Sequence, residues 1–140
     1  MYLLDTNILS DMVRNPFGRA AERADRVGNE NFAISIVVAA EIQVGIAKNP
    51  SFRRAAEMRA ILDTIDIKPL EQPCDEVYGR IRADLEKHGV VIGPNDLLVA
   101  AHALALDAVL VTDDEEFSRV PGLKTENWLR DAPATEQTGR

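Results

Sequence analysis

Five acidic side chains stand where a folded chain would gather them. Asp5 closes a short apolar run, Tyr2–Leu4, and Asp113 and Asp114 follow another, Val109–Val111. Asp96 opens a nearly all-apolar stretch. Glu41 lies inside a further one, flanked by Val37, Val38, Ala39, Ala40, Ile42 and Val44. A glutamate among so many apolar neighbours is costly to bury unless it is paired or bound to a cation. Carboxylates held together repel one another, and a hard divalent cation relieves that repulsion. Carboxylate and water oxygens suit Mg²⁺ or Mn²⁺. On a phosphodiester such a centre performs hydrolysis. The ion polarises a phosphoryl oxygen and lowers the pKa of a bound water, and a second ion can stabilise the leaving oxygen during in-line attack. No covalent intermediate is required.

Each acid also has a plain structural use. Glu41 could sit at the water-facing edge of its helix. Asp96, in a first helical turn, would stabilise the helix dipole. Asp5 could cap the helix that follows it. Asp113 and Glu116 have the spacing of a capping box, D-x-x-E, which would leave Asp114 as the freer carboxylate. No single acid is diagnostic; the argument rests on two strand ends, one helix start and one helix interior taken together. There is no competing metal set. His88 and His102 are isolated, His102 reads as a packed or edge histidine, and Cys74 is the only cysteine.

The elements that must position these acids alternate. Strands are expected at Tyr2–Leu4, Phe32–Ser35, 65–70, Val109–Val111 and 124–128, with Pro69 marking 65–70 as an edge. Helices are expected at 6–13, 18–27, 37–48 (capped by Ser35), 52–64, 74–88 and 96–106. The 52–64 helix carries Phe52, Ala55, Met58, Ile61 and Leu62 on one face. Gly89 is placed to end the 74–88 helix. This alternation predicts an α/β fold with a mainly parallel central sheet flanked by helices, and ligand sites in such sheets lie at the carboxyl ends of the strands. Residues 1–130 read as one domain, and 131–140 as a polar, loose tail.

The 140 residues are 46% hydrophobic and 28% charged, which suits one globular domain with a real core. No apolar stretch approaches the ~20 residues of a membrane span, and no basic segment precedes an apolar run in the manner of a signal peptide. One cysteine and no disulfide partner point to a reducing cytoplasm. The net charge of −7 argues against nucleic-acid binding. A carboxylate metal centre accounts for part of that charge, and a local basic rim is compatible with it.

Four stretches resemble the motifs of PIN domains: Leu3-Leu4-Asp5-Thr6-Asn7, Ser35 to Ile42 with Glu41, Gly93-Pro94-Asn95-Asp96 with the apolar helix after it, and Leu110-Val111-Thr112-Asp113-Asp114 followed by Glu116-Phe117. The run from Phe117 to Leu123, ending in Glu126-Asn127-Trp128, is similar to the C-terminal signature of bacterial VapC toxins. The resemblance spans Tyr2 to about Trp128. It implies a three-layer PIN fold, Mg²⁺ or Mn²⁺ dependence and RNA cleavage. It implies a homodimer and a cognate VapB-type antitoxin that inhibits the toxin and joins it on operator DNA. Residue by residue, Asp5, Glu41, Asp96 and Asp114 match the acidic metal site, Thr112 the supporting hydroxyl, and Asn7 an orienting polar position. Enteric members cut initiator tRNA in the anticodon stem–loop, which makes that the first substrate to expect. An antitoxin segment carrying Arg or Lys across the acids would compete with the metal. Arg14, Arg19, Lys48, Arg80 and Arg82 are candidate phosphate contacts.

Other readings of the same acids fit less well. A receiver-type phosphoacceptor needs an acid pair after its first strand and a late lysine, but here Thr6 and Asn7 follow Asp5, and Thr112 follows Val111. A haloacid-dehalogenase-type phosphatase needs Asp at the position of Asn7. A PIN domain that only binds would have lost acids, and this chain keeps all of them.

Overall fold

The computed structural model describes residues 1–130; the tail expected over 131–140 lies outside the described residues. The strands are β1 (Tyr2–Leu4), β2 (Phe32–Ser35), β3 (Ile67–Lys68), β4 (Val109–Val111) and β5 (Thr125–Glu126). The helices are α1 (Thr6–Arg14), α2 (Arg19–Val27), α3 (Ile36–Lys48), α4 (Arg53–Leu62), α5 (Cys74–Lys87) and α6 (Pro94–Ala105). The strands form one sheet of order β3-β2-β1-β4-β5, and every pairing is parallel. The expected edge strand around Pro69 is at the edge, but it shortens to two residues.

Parallel strands covered by helices must be apolar on both faces. Leu3, Leu4, Ala33, Ile34, Leu110 and Val111 are all fully buried. The chain leaves β1 on one side of the sheet and returns through β4 on the other, so the connections diverge between these two strands. That divergence opens a crevice beyond their carboxyl ends, the place where open α/β sheets bind ligands. Asp5 N donates to Val111 O at 2.9 Å and ties the two strand ends together there.

Local chemistry explains most boundaries. Ser35 Oγ accepts from Val37 N at 3.1 Å and starts α3 directly out of β2. The same hydroxyl meets buried His102 Nδ1 on α6 at 2.8 Å, so His102 is a core residue, as its apolar helix suggested. Gly89 follows α5 at φ +72°, a left-handed conformation that glycine adopts without steric cost. One expectation fails. Phe52 does not join the apolar face of α4; it occupies the position before the helix and is 63% exposed. The helix begins one residue later, and its buried stripe is Ala55, Met58 and Leu62. Among the described residues no helix is long and apolar enough to cross a membrane.

Candidate metal centre

Asp5 is the anchor of the site. It is 6% exposed and serves as the cap of α1, its Oδ1 accepting from Thr6 N at 2.9 Å. Its other oxygen, Oδ2, accepts from the Thr112 hydroxyl at 2.7 Å and more weakly from Asn7 Nδ2 at 3.4 Å. The structural and chemical readings of Asp5 are thus compatible, because one oxygen caps the helix while the other is held by Thr112 and Asn7.

Thr112 connects two acids. Its Oγ1 donates to Asp5 and accepts from Asp114 N at 3.0 Å, which fixes the turn after β4 against the end of β1. Asn7 adds a second tie, its Oδ1 accepting from Asp113 N at 3.1 Å. The supporting roles expected for Thr112 and Asn7 therefore have concrete partners.

The capping box expected from Asp113 to Glu116 does not form. Asp114 is the cap: its Oδ1 accepts from Glu116 N at 2.9 Å at the start of a short 3₁₀ turn, Glu115–Arg119. Asp113 is turned away and held by Asn127 Nδ2 at 2.8 Å and by Arg130 Nε at 3.2 Å. A 3₁₀ turn is tighter than an α-helix, which moves the cap one residue along from the D-x-x-E pattern. Asp113 is thus neutralised by the C-terminal residues, and Asp114 faces the crevice.

The remaining acids complete the cluster. Carboxylate oxygens of Asp96, Asp114 and Glu116 all lie within 4.8 Å of one another. Burial pushes the Asp96 carboxyl up to about 6, helped by repulsion from Asp5, Asp114 and Glu116. Asp5 is raised too, chiefly by burial, against the lowering effect of the Thr112 hydrogen bond. Glu41 on α3 is raised by burial and then by Asp5 and Asp96. Thr6 Oγ1 and Glu41 Oε1 are buried, and neither has a hydrogen-bond partner of good geometry among the described residues, although the neighbouring Thr6 still favours the charged form of Glu41.

Asp5, Glu41, Asp96 and Asp114 therefore share one mutually repelling group, with Thr112 and Asn7 behind it. Glu116 belongs there as well. Sequence reasoning had weighed it only as a capping partner; the signal was the density of acids from Asp113 to Glu116 on one tight turn. Asn127 and Arg130, which restrain Asp113, are 14 and 17 positions away in the chain and carry no local signal. Of the candidate phosphate contacts, Arg82 is occupied by Glu86 and the Tyr78 hydroxyl along α5, and Arg19 donates to Arg130 O at 3.0 Å. Arg14 is exposed at the end of α1, and Lys48 and Arg80 are exposed elsewhere.

The chemistry of the donor set fits a hard divalent cation: oxygen ligands only, several of them like-charged, and one buried glutamate oxygen with no donor. A water-filled site would leave the repulsion standing.

The chain is similar to several known proteins. The PIN-domain profile matches residues 2–123. Ribonuclease VapC2 of Rickettsia felis is 37% identical over 91% of this chain and 98% of its own length. The tRNA(fMet)-specific endonuclease VapC of Shigella flexneri is 32% identical over 91% of this chain and 97% of its own. The crystal structure of VapBC2 from Rickettsia felis, bound to a DNA fragment from its promoter, contains a chain that superposes with a TM-score of 0.82 at 35% identity, covering 91% of this chain and 98% of that one. With the profile spanning most of the sequence and relatives matched nearly end to end, the chain belongs to the PIN-domain family, within its VapC group.

Proposed function

We propose that this chain is a divalent-cation-dependent endoribonuclease and the toxin of a toxin–antitoxin pair, which stops translation by cutting RNA. The observation that carries the reading is the convergence of Asp5, Glu41, Asp96 and Asp114 beyond the ends of β1 and β4, where they repel one another. The names of the relatives support it: ribonuclease VapC2 and tRNA(fMet)-specific endonuclease VapC. A tRNA anticodon stem–loop, that of initiator tRNA first, is the substrate class to test.

Asp5, Glu41, Asp96 and Asp114 would hold the cation, Mg²⁺ or Mn²⁺, with Glu116 beside Asp96 and Asp114 as a further carboxylate. Bound there, the ion would supply Lewis-acid polarisation of a phosphoryl oxygen and activation of water near neutral pH. The chain's own residues do the positioning. Thr112 keeps Asp5 and the Asp114 backbone in fixed relation, and Asn7 holds the turn at Asp113. Glu41 Oε1 is free to accept a hydrogen bond from a water in the cluster.

The partners follow from the same relatives. A VapB-type antitoxin is expected to bind this chain and silence it by laying a basic side chain against the acids, and operator DNA is expected to be reached only through that complex. A homodimer in the cytoplasm is the expected form of the toxin. The deciding experiment expresses wild type and Asp5→Asn without antitoxin and maps new RNA 5′ ends by sequencing, with circular dichroism as a check on folding. Discrete cuts from wild type alone are expected. Identical RNA ends and identical growth from both would mean that the acids do not cut RNA in cells, and a binding role would replace the nuclease reading.

A further inference from the structure

Three concavities adjoin one another through side chains they share, and the first is lined by Glu41. The first, about 320 Å³, starts at Thr6 and Glu41 and reaches Phe52 and Arg54. The second, about 920 Å³, is bordered by Phe52 and Arg54 and extends to Arg14. The third, about 480 Å³, continues from Arg14 to Phe17 and Arg19. Their shared linings make one surface track from Glu41 on α3 past residues of α1 and α4.

The charge and the aromatics on this track run against the rest of the molecule. The whole chain has 23 acids against 16 Lys and Arg. The second and third concavities carry Arg14, Arg19, Arg53 and Arg54 against Glu57 and Asp11. Glu57 pairs with Arg53 at 3.2 Å and approaches Arg54 at 3.9 Å, while Arg14 makes no ion pair among the described residues. Phe17 and Phe52 are 97% and 63% exposed, and the other described aromatic side chains are buried or half-buried. Exposed aromatics spaced by guanidinium groups suit a single-stranded nucleic acid, which offers stacking faces and phosphates in alternation. The first concavity has an apolar floor of Ile42, Ile46 and Met58, which would accept a base or a protein side chain equally. Position and sign favour RNA: the first concavity is lined by Glu41 of the acidic group, and the surface becomes basic in an acidic protein.

We propose that this track carries the unpaired strand on one side of the scissile phosphate, with a base stacked on Phe52 and phosphates held by Arg54 and Arg14. The proposal rests on the nuclease reading and adds to it the residues that receive the substrate. It also resolves the charge problem, because the acids repel RNA and the approach must be made attractive nearby.

Binding is measured in the Asp5→Asn chain, which spares the RNA, by fluorescence anisotropy with a labelled single-stranded RNA of mixed sequence about ten nucleotides long. Phe52→Ala is expected to weaken binding at least about fivefold, and Phe52→Tyr to restore it, since a stacking face is all that is required. Arg14→Ala and Arg54→Ala are each expected to weaken binding and to lower the slope of log affinity against log salt by about 0.7. These side chains are exposed, so circular dichroism should show the fold intact. Unchanged affinity in all three alanine variants overturns the proposal. So does normal RNA binding combined with lost binding of the antitoxin, which would make the track a protein-docking groove. Cleavage by wild type with Mg²⁺ is read separately. Cleavage with unaffected variants removes the track alone, whereas absence of any cleavage removes the nuclease reading and with it the track's place beside a scissile phosphate, leaving weakened binding in the variants to mark only a single-strand RNA surface.

Discussion

Glu41 and Glu126 are both partly buried glutamates, and the fold treats them in opposite ways. Glu126 Oε1 receives Arg23 Nη2 at 3.0 Å and Trp128 Nε1 at 3.1 Å. Arg23 in turn lies 5.7 Å from the centre of the Trp128 ring, and Trp128 packs edge-on against Tyr2 and Phe32. The charge is discharged inside the protein. Glu41 has no cation beside it among the described residues; burial and two neighbouring acids, Asp5 and Asp96, raise its carboxyl against the lowering effect of Thr6. Asp113 shows the same compensation, with its own arginine and asparagine. The chain can therefore compensate acids where only stability is at stake, whereas Asp5, Glu41 and Asp96, all raised by burial and by neighbouring acids, gather in the crevice between β1 and β4. That contrast separates acids that hold the fold together from acids that await something from outside.

Substitution in the two regions should split stability from activity. Asp5→Asn should lower RNA cleavage more than about 100-fold, because losing even the groups that orient a metal ligand commonly costs 10–100-fold. Its melting temperature without metal should hold or rise, since one repelling charge is removed. Arg23→Ala should do the reverse. Removing one partner of a pair in which Arg23 is 7% exposed should cost about 3 kcal/mol by chemical denaturation, with cleavage per folded molecule unchanged. If Arg23→Ala silences cleavage in a folded protein, or Asp5→Asn unfolds it, the division between the regions is wrong.

Thr112→Val tests the boundary between them, because this buried hydroxyl serves Asp5 and the Asp114 backbone at once. Cleavage and Mg²⁺ affinity should each fall about 10–100-fold. Stability should fall by about 1–3 kcal/mol, the scale of leaving a buried hydrogen-bonding group without its partner. A Mg²⁺ titration by calorimetry on wild type and variant reads the first effect; equal affinities would reduce Thr112 to a packing residue.

The sequence made the elements and the acids of this contrast readable, and left their partners hidden. Asp5, Glu41, Asp96 and Asp114 announce themselves because each interrupts an apolar pattern, and the strand–helix alternation says where strand ends must meet. Arg23 gives no such sign. It sits in a polar helix, and its partner is 103 positions away. The turn after β4 was misread for a local reason, since D-x-x-E fits an α-helix cap and the chain makes a 3₁₀ turn. Phe52 was misread because periodicity extends a helical face past the residue where the helix starts, and only the fold shows that this side chain points into solvent beside the crevice.

The smallest effect expected is also the most direct test of the repulsion. The Asp96 carboxyl is raised from 3.8 to about 6 in the fold, so the metal-free folded chain holds that proton more tightly than the unfolded chain does. Its contribution to stability is complete below about pH 4 and is lost as pH rises through about 6. Asp5 and Glu41 are raised as well and act in the same direction. In the presence of a chelator, wild type should therefore lose stability relative to Asp96→Asn between about pH 4 and pH 7. At the upper end the variant should be ahead by about 1 kcal/mol, once solvent screening is allowed for. Mg²⁺ should reverse the order at pH 7, because it requires the ionised carboxylates, and should matter little near pH 4.5. Melting curves at the two pH values, with Mg²⁺ and with chelator, supply all four corners. A difference between wild type and variant that stays constant with pH would mean that Asp96 titrates as an ordinary surface acid, and the distinction between a satisfied and an unsatisfied region would rest on Glu41 alone.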